Sequence, residues 1–149
     1  MDSKYYLPKD IKEKLQQKIP KYLCILITGE RTFINENPIW GVLTNLGGMY
    51  RKKPHVIHGN AKGADTLAAD IATWLDYTVT AYPANWEQYG RAAGPKRNQQ
   101  MLTEGKPDLI VAFFNDRSKS KGTNHMVTIS KKTRLPCLIW EETKGWNLE

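Results

Sequence analysis

A few short segments of this sequence gather the residue types that handle anions. His58-Gly59-Asn60-Ala61-Lys62-Gly63-Ala64-Asp65-Thr66 combines glycines, small side chains and a helix start. Such a loop can aim backbone N–H groups at an anion while the helix dipole adds favourable charge. Asp65 admits two readings of equal standing. It can cap the helix by accepting first-turn amides, or contact a ligand through a ribose hydroxyl, since a carboxylate at a helix mouth repels phosphate. His58 sits at a strand end, where histidine is more often a structural hydrogen-bonding group than a proton shuttle, so its claim to catalysis is the weaker one.

Further along, Gly94-Pro95 reads as a helix start with Pro95 at the first helical position, which places Arg97 and Asn98 in the first turn. Cation, amide and helix terminus then converge on one anion site. A first-turn arginine opposes the dipole, which points to a compensating ligand or carboxylate. Thr28-Gly29-Glu30-Arg31 offers a tight turn and a guanidinium fork suited to phosphate or carboxylate, although an ordinary turn with a surface arginine has the same composition. Trp86 and Tyr89 suit stacking on a base, but aromatic side chains more often fill a core. The segment from Asn115 to Asn124 is rich in Lys, Arg and Ser and ends in Gly122-Thr123 at a helix start. The Gly-Thr pair suits phosphate and the basic stretch charges the same rim; the plainer reading is a solvated loop.

The elements that must position these loops alternate along the chain. Strand-like runs at Tyr22–Thr28, His55–Gly59, Thr78–Pro83, Asp108–Phe114 and Pro136–Trp140 predict five strands, the first of them continuous and apolar as in a strand buried on both faces. Between them, Trp40, Leu43, Leu46 and Met49 mark a helix from about Pro38 to Tyr50, and Leu67, Ile71, Trp74 and Leu75 the buried face of one from Asp65. Further helices are expected from Pro95 to about Glu104 and from Gly122 to Lys132. Leu7, Ile11 and Leu15 predict a short amphipathic helix ended by Pro20. The tail Glu141–Glu149 carries no clear pattern. The alternation predicts an α/β fold, a mainly parallel five-stranded sheet with helices on both faces. Ligands of such open sheets bind beyond the carboxyl ends of the strands, where the loops above lie.

A chain of 149 residues fits one nucleus of core, here 22–149 with residues 1–21 as a helical extension. The formal charge of +7 favours anionic partners. No apolar run approaches bilayer length, and the amino terminus is too charged for a secretory signal, so a cytoplasmic protein without membrane contact is expected. Cys24 and Cys137 lie inside strand-like runs, and without a CxxC or Cys/His cluster no metal site is expected.

Taken in order, ILITGERTF, VIHGNAKGADTLAADIA, YPANWEQYGRAAGPKRNQQML, PDLIVAFF and KGTNHMV resemble the YspA/YpsA-related branch of the SLOG superfamily. These are Rossmann-like nucleotide-binding proteins whose wider relatives include Lonely-Guy phosphoribohydrolases and DprA. The resemblance spans about Leu23 to Trp140, and the HG-x-x-x-GAD-x-LA and AGP-x-RN segments are its most specific parts. It implies a Rossmann-like doubly wound fold and a nucleotide or nucleotide-derived ligand, such as an NAD derivative, and it allows the homodimerisation of Lonely-Guy relatives. Its ligand positions fall on Thr28, Gly29 and Arg31; on His58, Gly59, Gly63, Ala64 and Asp65; on Trp86, Arg97 and Asn98; and on Gly122 and Thr123. Asn60 and Asn115 lie in the same loops. Relatives usually carry Gly-Gly after the fourth strand, where this chain has Asn115-Asp116 and a longer basic insert. Lonely-Guy enzymes follow Gly-Thr with a catalytic glutamate, whereas Asn124, His125 and Met126 follow here.

The leading expectation is therefore a binding module, a sensor or sequestering protein for a nucleotide-derived signal, of the kind SLOG proteins imply in conflicts between phages and bacteria. The second is a hydrolase of an N-glycosidic or phosphate bond, with Asp65 as acid/base, Arg97 holding phosphate and His58 assisting. Nucleic-acid binding ranks last, because the basic residues are dispersed and no standard motif is present.

Overall fold

The computed structural model describes residues 1–19 and 21–149. Its strands are β1 (Cys24–Gly29), β2 (His55–His58), β3 (Thr78–Ala81), β4 (Leu109–Phe114), β5 (Cys137–Glu141) and β6 (Gly145–Leu148). The helices are α1 (Lys9–Lys18), α2 (Glu36–Met49), α3 (Ala64–Trp74), the single turn α4 (Trp86–Tyr89), α5 (Ala93–Gly105) and α6 (Lys121–Lys132). The strands form one sheet in the order β3-β2-β1-β4-β5-β6, parallel except for β6. Pro20, expected to end the first helix, lies outside the described residues.

Strand periodicity explains the layering. Side chains alternate across a pleated strand, so Ile25 and Ile27 of β1 join Leu109, Val111 and Phe113 of β4 on one face. Leu26 joins Ile110, Ala112 and Phe114 on the other. The first face is covered by α2 and α3, whose Ile39, Val42, Leu43, Leu46, Ala68 and Ile71 are buried there. The second is covered by α5 and α6 through Met101, Leu102, Met126 and Val127. Both cysteines are buried in this second layer, and burial pushes each thiol up to about 11.

The amino-terminal residues share the first layer: Leu7, Ile11, Leu15 and Ile19 are all buried in it. Gly41 of α2 admits this segment, because a Cβ there would collide with the Tyr5 carbonyl. Leu7 N–H donates to Asn45 Oδ1 at 2.8 Å, and Trp146 Nε1–H donates to the Tyr5 carbonyl at 2.9 Å.

Several expectations need correction. The sheet has a sixth strand, β6, antiparallel to β5 with Trp140 opposite Trp146 and Leu138 opposite Leu148. Only two of its side chains face inward, too few to show a period, and it follows a turn closed by Lys144 N–H to Glu141 O at 3.0 Å and by Gly145 at φ +80°. Trp74 is not on the buried face of α3; it is 77% exposed and meets Trp40 edge-on at 5.4 Å. Of the expected face Ile71 is buried and Leu67 and Leu75 pack partly buried beside it, while Ala64, Ala68 and Ala72 complete the buried stripe. A Cβ on Gly29 would penetrate that of Ala64. On α2 the buried stripe is turned to Ile39, Val42, Leu43 and Leu46, leaving Trp40 and Met49 partly buried. Finally, α5 starts at Ala93, so Pro95 is its third residue, a first-turn position where its missing N–H costs no intrahelical bond.

Candidate functional site

Because β1 lies between β2 and β4, the chain leaves β1 toward one face and β4 toward the other. The loops diverge at the carboxyl ends and leave a crevice, the usual place for a ligand in such sheets. A cavity of about 790 Å³ occupies this position. Its walls come from the turn after β1 (Thr28–Thr32), from Gly59, Ala61 and Asp65 after β2, from Trp86 and the start of α5, and from the Asn115–Thr123 segment leading into α6.

Asp65 organises the second wall. Its side chain is 4% exposed, and Oδ2 accepts Gly59 N–H at 3.0 Å and Ala61 N–H at 3.3 Å. The carboxylate therefore caps the loop that precedes it rather than the first-turn amides of α3, whose N-cap is Gly63 with no side-chain bond. Burial pushes its pKa up to about 6 despite those amides and the nearby Arg97 and Arg31 cations. Gly63 is required where it stands: it has φ +80°, and a Cβ would lie 2.6 Å from the Arg31 carbonyl. Asn60, at φ +57°, completes the bend.

Arg97 spans the cavity floor. One guanidinium nitrogen, Nη1, donates to the Gly59 carbonyl, and Nε donates to Asn98 Oδ1 at 3.0 Å. Gly59 leaves the room for this, since a Cβ there would sit 2.5 Å from Nη1. Nη2 makes no hydrogen bond among the described residues. Arg97 lies in the second turn of α5, not the first, so the dipole conflict expected from the sequence does not arise. The attraction of buried Asp65 partly offsets the cost of burying this cation.

The remaining walls are basic and aromatic. Arg31 lies over the Trp86 ring, 5.5 Å from its centroid, and Trp86 is 48% exposed. Tyr89 is absent from the cavity wall and carries Lys96 at 4.7 Å. Thr123 is buried in the first turn of α6, whose N-cap Ser120 supplies no side-chain bond to the free amides. Lys119, Lys121 and Gly122 line the same end. Arg117, also in the basic stretch, faces away and makes a bidentate pair with Glu149 at 2.6 and 2.9 Å. Lys131 bonds the same carboxylate, and these partners hold it down to about 2. Asn115 lines the cavity with Nδ2 donating to Thr32 Oγ1 at 3.3 Å.

Of the residues singled out in the sequence, Thr28, Gly29, Arg31, Gly59, Asp65, Trp86, Arg97, Asn98, Asn115, Gly122 and Thr123 meet around this cavity. His58, Asn60, Gly63 and Ala64 do not line it. Burial and the Arg97 charge push the His58 pKa down, and its Nδ1 accepts Asn60 N–H at 3.0 Å, which fits the structural role. Sequence reasoning passed over Glu30 and His125. Glu30 Oε1 accepts Asp116 N–H at 3.1 Å and so ties the loops after β1 and β4 together. No short motif marks either residue. Among the described residues, no group of His, Cys, Asp and Glu side chains could hold a metal ion, and no helix is long and apolar enough to cross a membrane.

Strand order and glycine-shaped loops define a Rossmann-like α/β protein with a crevice at the carboxyl ends of its parallel strands. The YspA, cpYpsA-related SLOG family matches residues 23–89. The chain is also similar to the Gene 61 protein of Mycobacterium phage D29, with 31% identity over 123 residues, covering 76% of this chain and 93% of that protein. The chain belongs to the YspA, cpYpsA-related SLOG family. No solved structure matches it.

Proposed function

We propose that this protein binds a phosphorylated nucleotide or nucleotide-derived small molecule in the cavity and acts as a sensor or sequestering protein. The observation that carries this reading is the division of labour among its charges. The cavity carboxylates are engaged by loop amides: Asp65 by Gly59 and Ala61, Glu30 by Asp116, and Asp116 itself by Ser118. The cations and free amides are left for a ligand: Arg97 Nη2, Lys121, Arg31 and the first turn of α6. Phosphate fits such a donor set, and Trp86 at the mouth offers a ring face for a base. Membership of the SLOG family supports a nucleotide-related ligand. Similarity to a phage protein supports a setting in phage–bacterium conflict.

A second reading, hydrolysis of an N-glycosidic or phosphate bond, is favoured by one observation. Asp65, held near 6 by burial, can both take and give a proton close to neutral pH. Binding ranks first because the amides that occupy Asp65 restrict its approach to a substrate. Incubation with a panel of nucleotides, NAD derivatives and cyclic dinucleotides separates the two. Intact ligand recovered from a stable complex is the expected outcome; released base or phosphate on a catalytic timescale would establish the hydrolase instead.

A further inference from the structure

His125 lines the cavity beside Lys121, Gly122 and Thr123, and a chain of hydrogen bonds determines where its proton resides. Arg97 Nε is always a donor, so the Asn98 side-chain atom 3.0 Å away must be the amide oxygen. That orientation turns Asn98 Nδ2 toward the Gly122 carbonyl at 3.5 Å and His125 Nδ1 at 3.1 Å. A donor facing Nδ1 requires that Nδ1 accept. The proton of the neutral imidazole is then on Nε2. Nε2 makes no hydrogen bond among the described residues, and it is not a buried orphan, since Trp140 Nε1 is the buried unpartnered atom found among them. It is open for a ligand.

Building on the nucleotide-site reading above, we propose that His125 is a ligand-binding residue. Its Nε2–H donates to a phosphoryl oxygen, and Asn98, itself oriented by Arg97, is the positioning residue that holds the ring in this tautomer. The ring stands at the α6 end, where Thr123 and the free first-turn amides also offer donors. Donors gathered at this end favour a group that accepts, as phosphoryl oxygens do.

Two measurements on the full chain test this. Long-range proton–nitrogen NMR spectra in alkaline buffer should show His125 with a pyridine-type Nδ1 and a pyrrole-type Nε2. Asn98→Asp offers Arg97 and Nδ1 a shared acceptor, and the ring proton should move to Nδ1. Calorimetry with ADP and with inorganic pyrophosphate reads the contact. His125→Asn, whose amide falls near Nδ1, should weaken both probes about tenfold, whereas His125→Gln, whose amide reaches the Nε2 position, should return affinity to within about threefold of wild type. An Nδ1–H tautomer in the wild-type chain, or His125→Asn binding both probes as the wild type does, would overturn the proposal. If the wild type shows the Nε2–H tautomer but binds neither probe, the nucleotide reading fails, and the ligand contact with it, while the tautomer assignment stands.

Discussion

Replacing Asp65 by Asn turns its burial into a measurable pH profile. The folded carboxyl has a pKa of about 6 against 3.8 for the ordinary group. Between those values the native state binds more protons than the unfolded chain, so stability falls as pH rises through the window. The stabilisation by proton uptake is complete below the unfolded value and gone above the folded one. A shift of about two units at 1.36 kcal/mol each is worth ~3 kcal/mol, or roughly 6–12 °C in Tm for a chain of this size. Asp65→Asn keeps a side-chain oxygen for Gly59 N–H but does not titrate. Urea melts of both proteins at stepped pH give a difference, variant minus wild type, that cancels every other titrating group. That difference should grow by about 2.4 kcal/mol from pH 4 to pH 7 and level off above. A flat difference, or one that grows as pH falls, would show that Arg97 and the loop amides outweigh burial.

Other expectations follow from single contacts. Gly63→Ala forces a side chain into a positive-φ position against the Arg31 carbonyl and should cost about 1–3 kcal/mol or more in denaturant melts, with nucleotide binding lost in parallel; wild-type stability would remove the steric account of this turn. Trp86→Leu should weaken nucleotide binding by about 1–3 kcal/mol per stacked base while leaving pyrophosphate binding unchanged, and an equal loss for both probes would place the base elsewhere. Glu149, held near 2 by Arg117 and Lys131, adds stability that is full above the ordinary carboxylate range and lost as pH falls toward 2. Melts of Glu149→Gln should therefore converge with wild type in acid, and a constant gap would assign the effect to packing.

Much of the fold was legible because β1 and β4 at its centre are apolar runs and strand and helix patterns alternate along the chain. β1 and β4, buried on both faces, could not be read otherwise. The misreadings share a cause: a local pattern was given the work of a tertiary contact. Trp74 was counted as core because its helical spacing put it with Leu67, Ile71 and Leu75, yet the helix is turned so that Ala64, Ala68, Ile71 and Ala72 face the sheet and Trp74 faces outward. Gly-Pro placed the start of α5 two residues late, since its N-cap Ala92 has no capping side chain to announce it. At the site, Arg97, Asp65 and the glycines were readable from type and spacing. Which groups Asp65 bonds was not, because the amides of Gly59 and Ala61 reach it only once the loop has bent through Asn60 and Gly63. His125 stayed hidden because its significance depends on Asn98, 27 residues away in the chain.

The central claim, a phosphorylated nucleotide-type ligand held in the crevice by Arg97, is tested most directly by calorimetric titration of wild type and Arg97→Ala with the same nucleotide panel. The account predicts saturable one-site binding of at least one phosphorylated member by the wild type and a loss of about tenfold or more in the variant, the scale of one charge-assisted hydrogen bond. Titrations in which no phosphorylated member binds, or in which Arg97→Ala binds as tightly as the wild type, would contradict it.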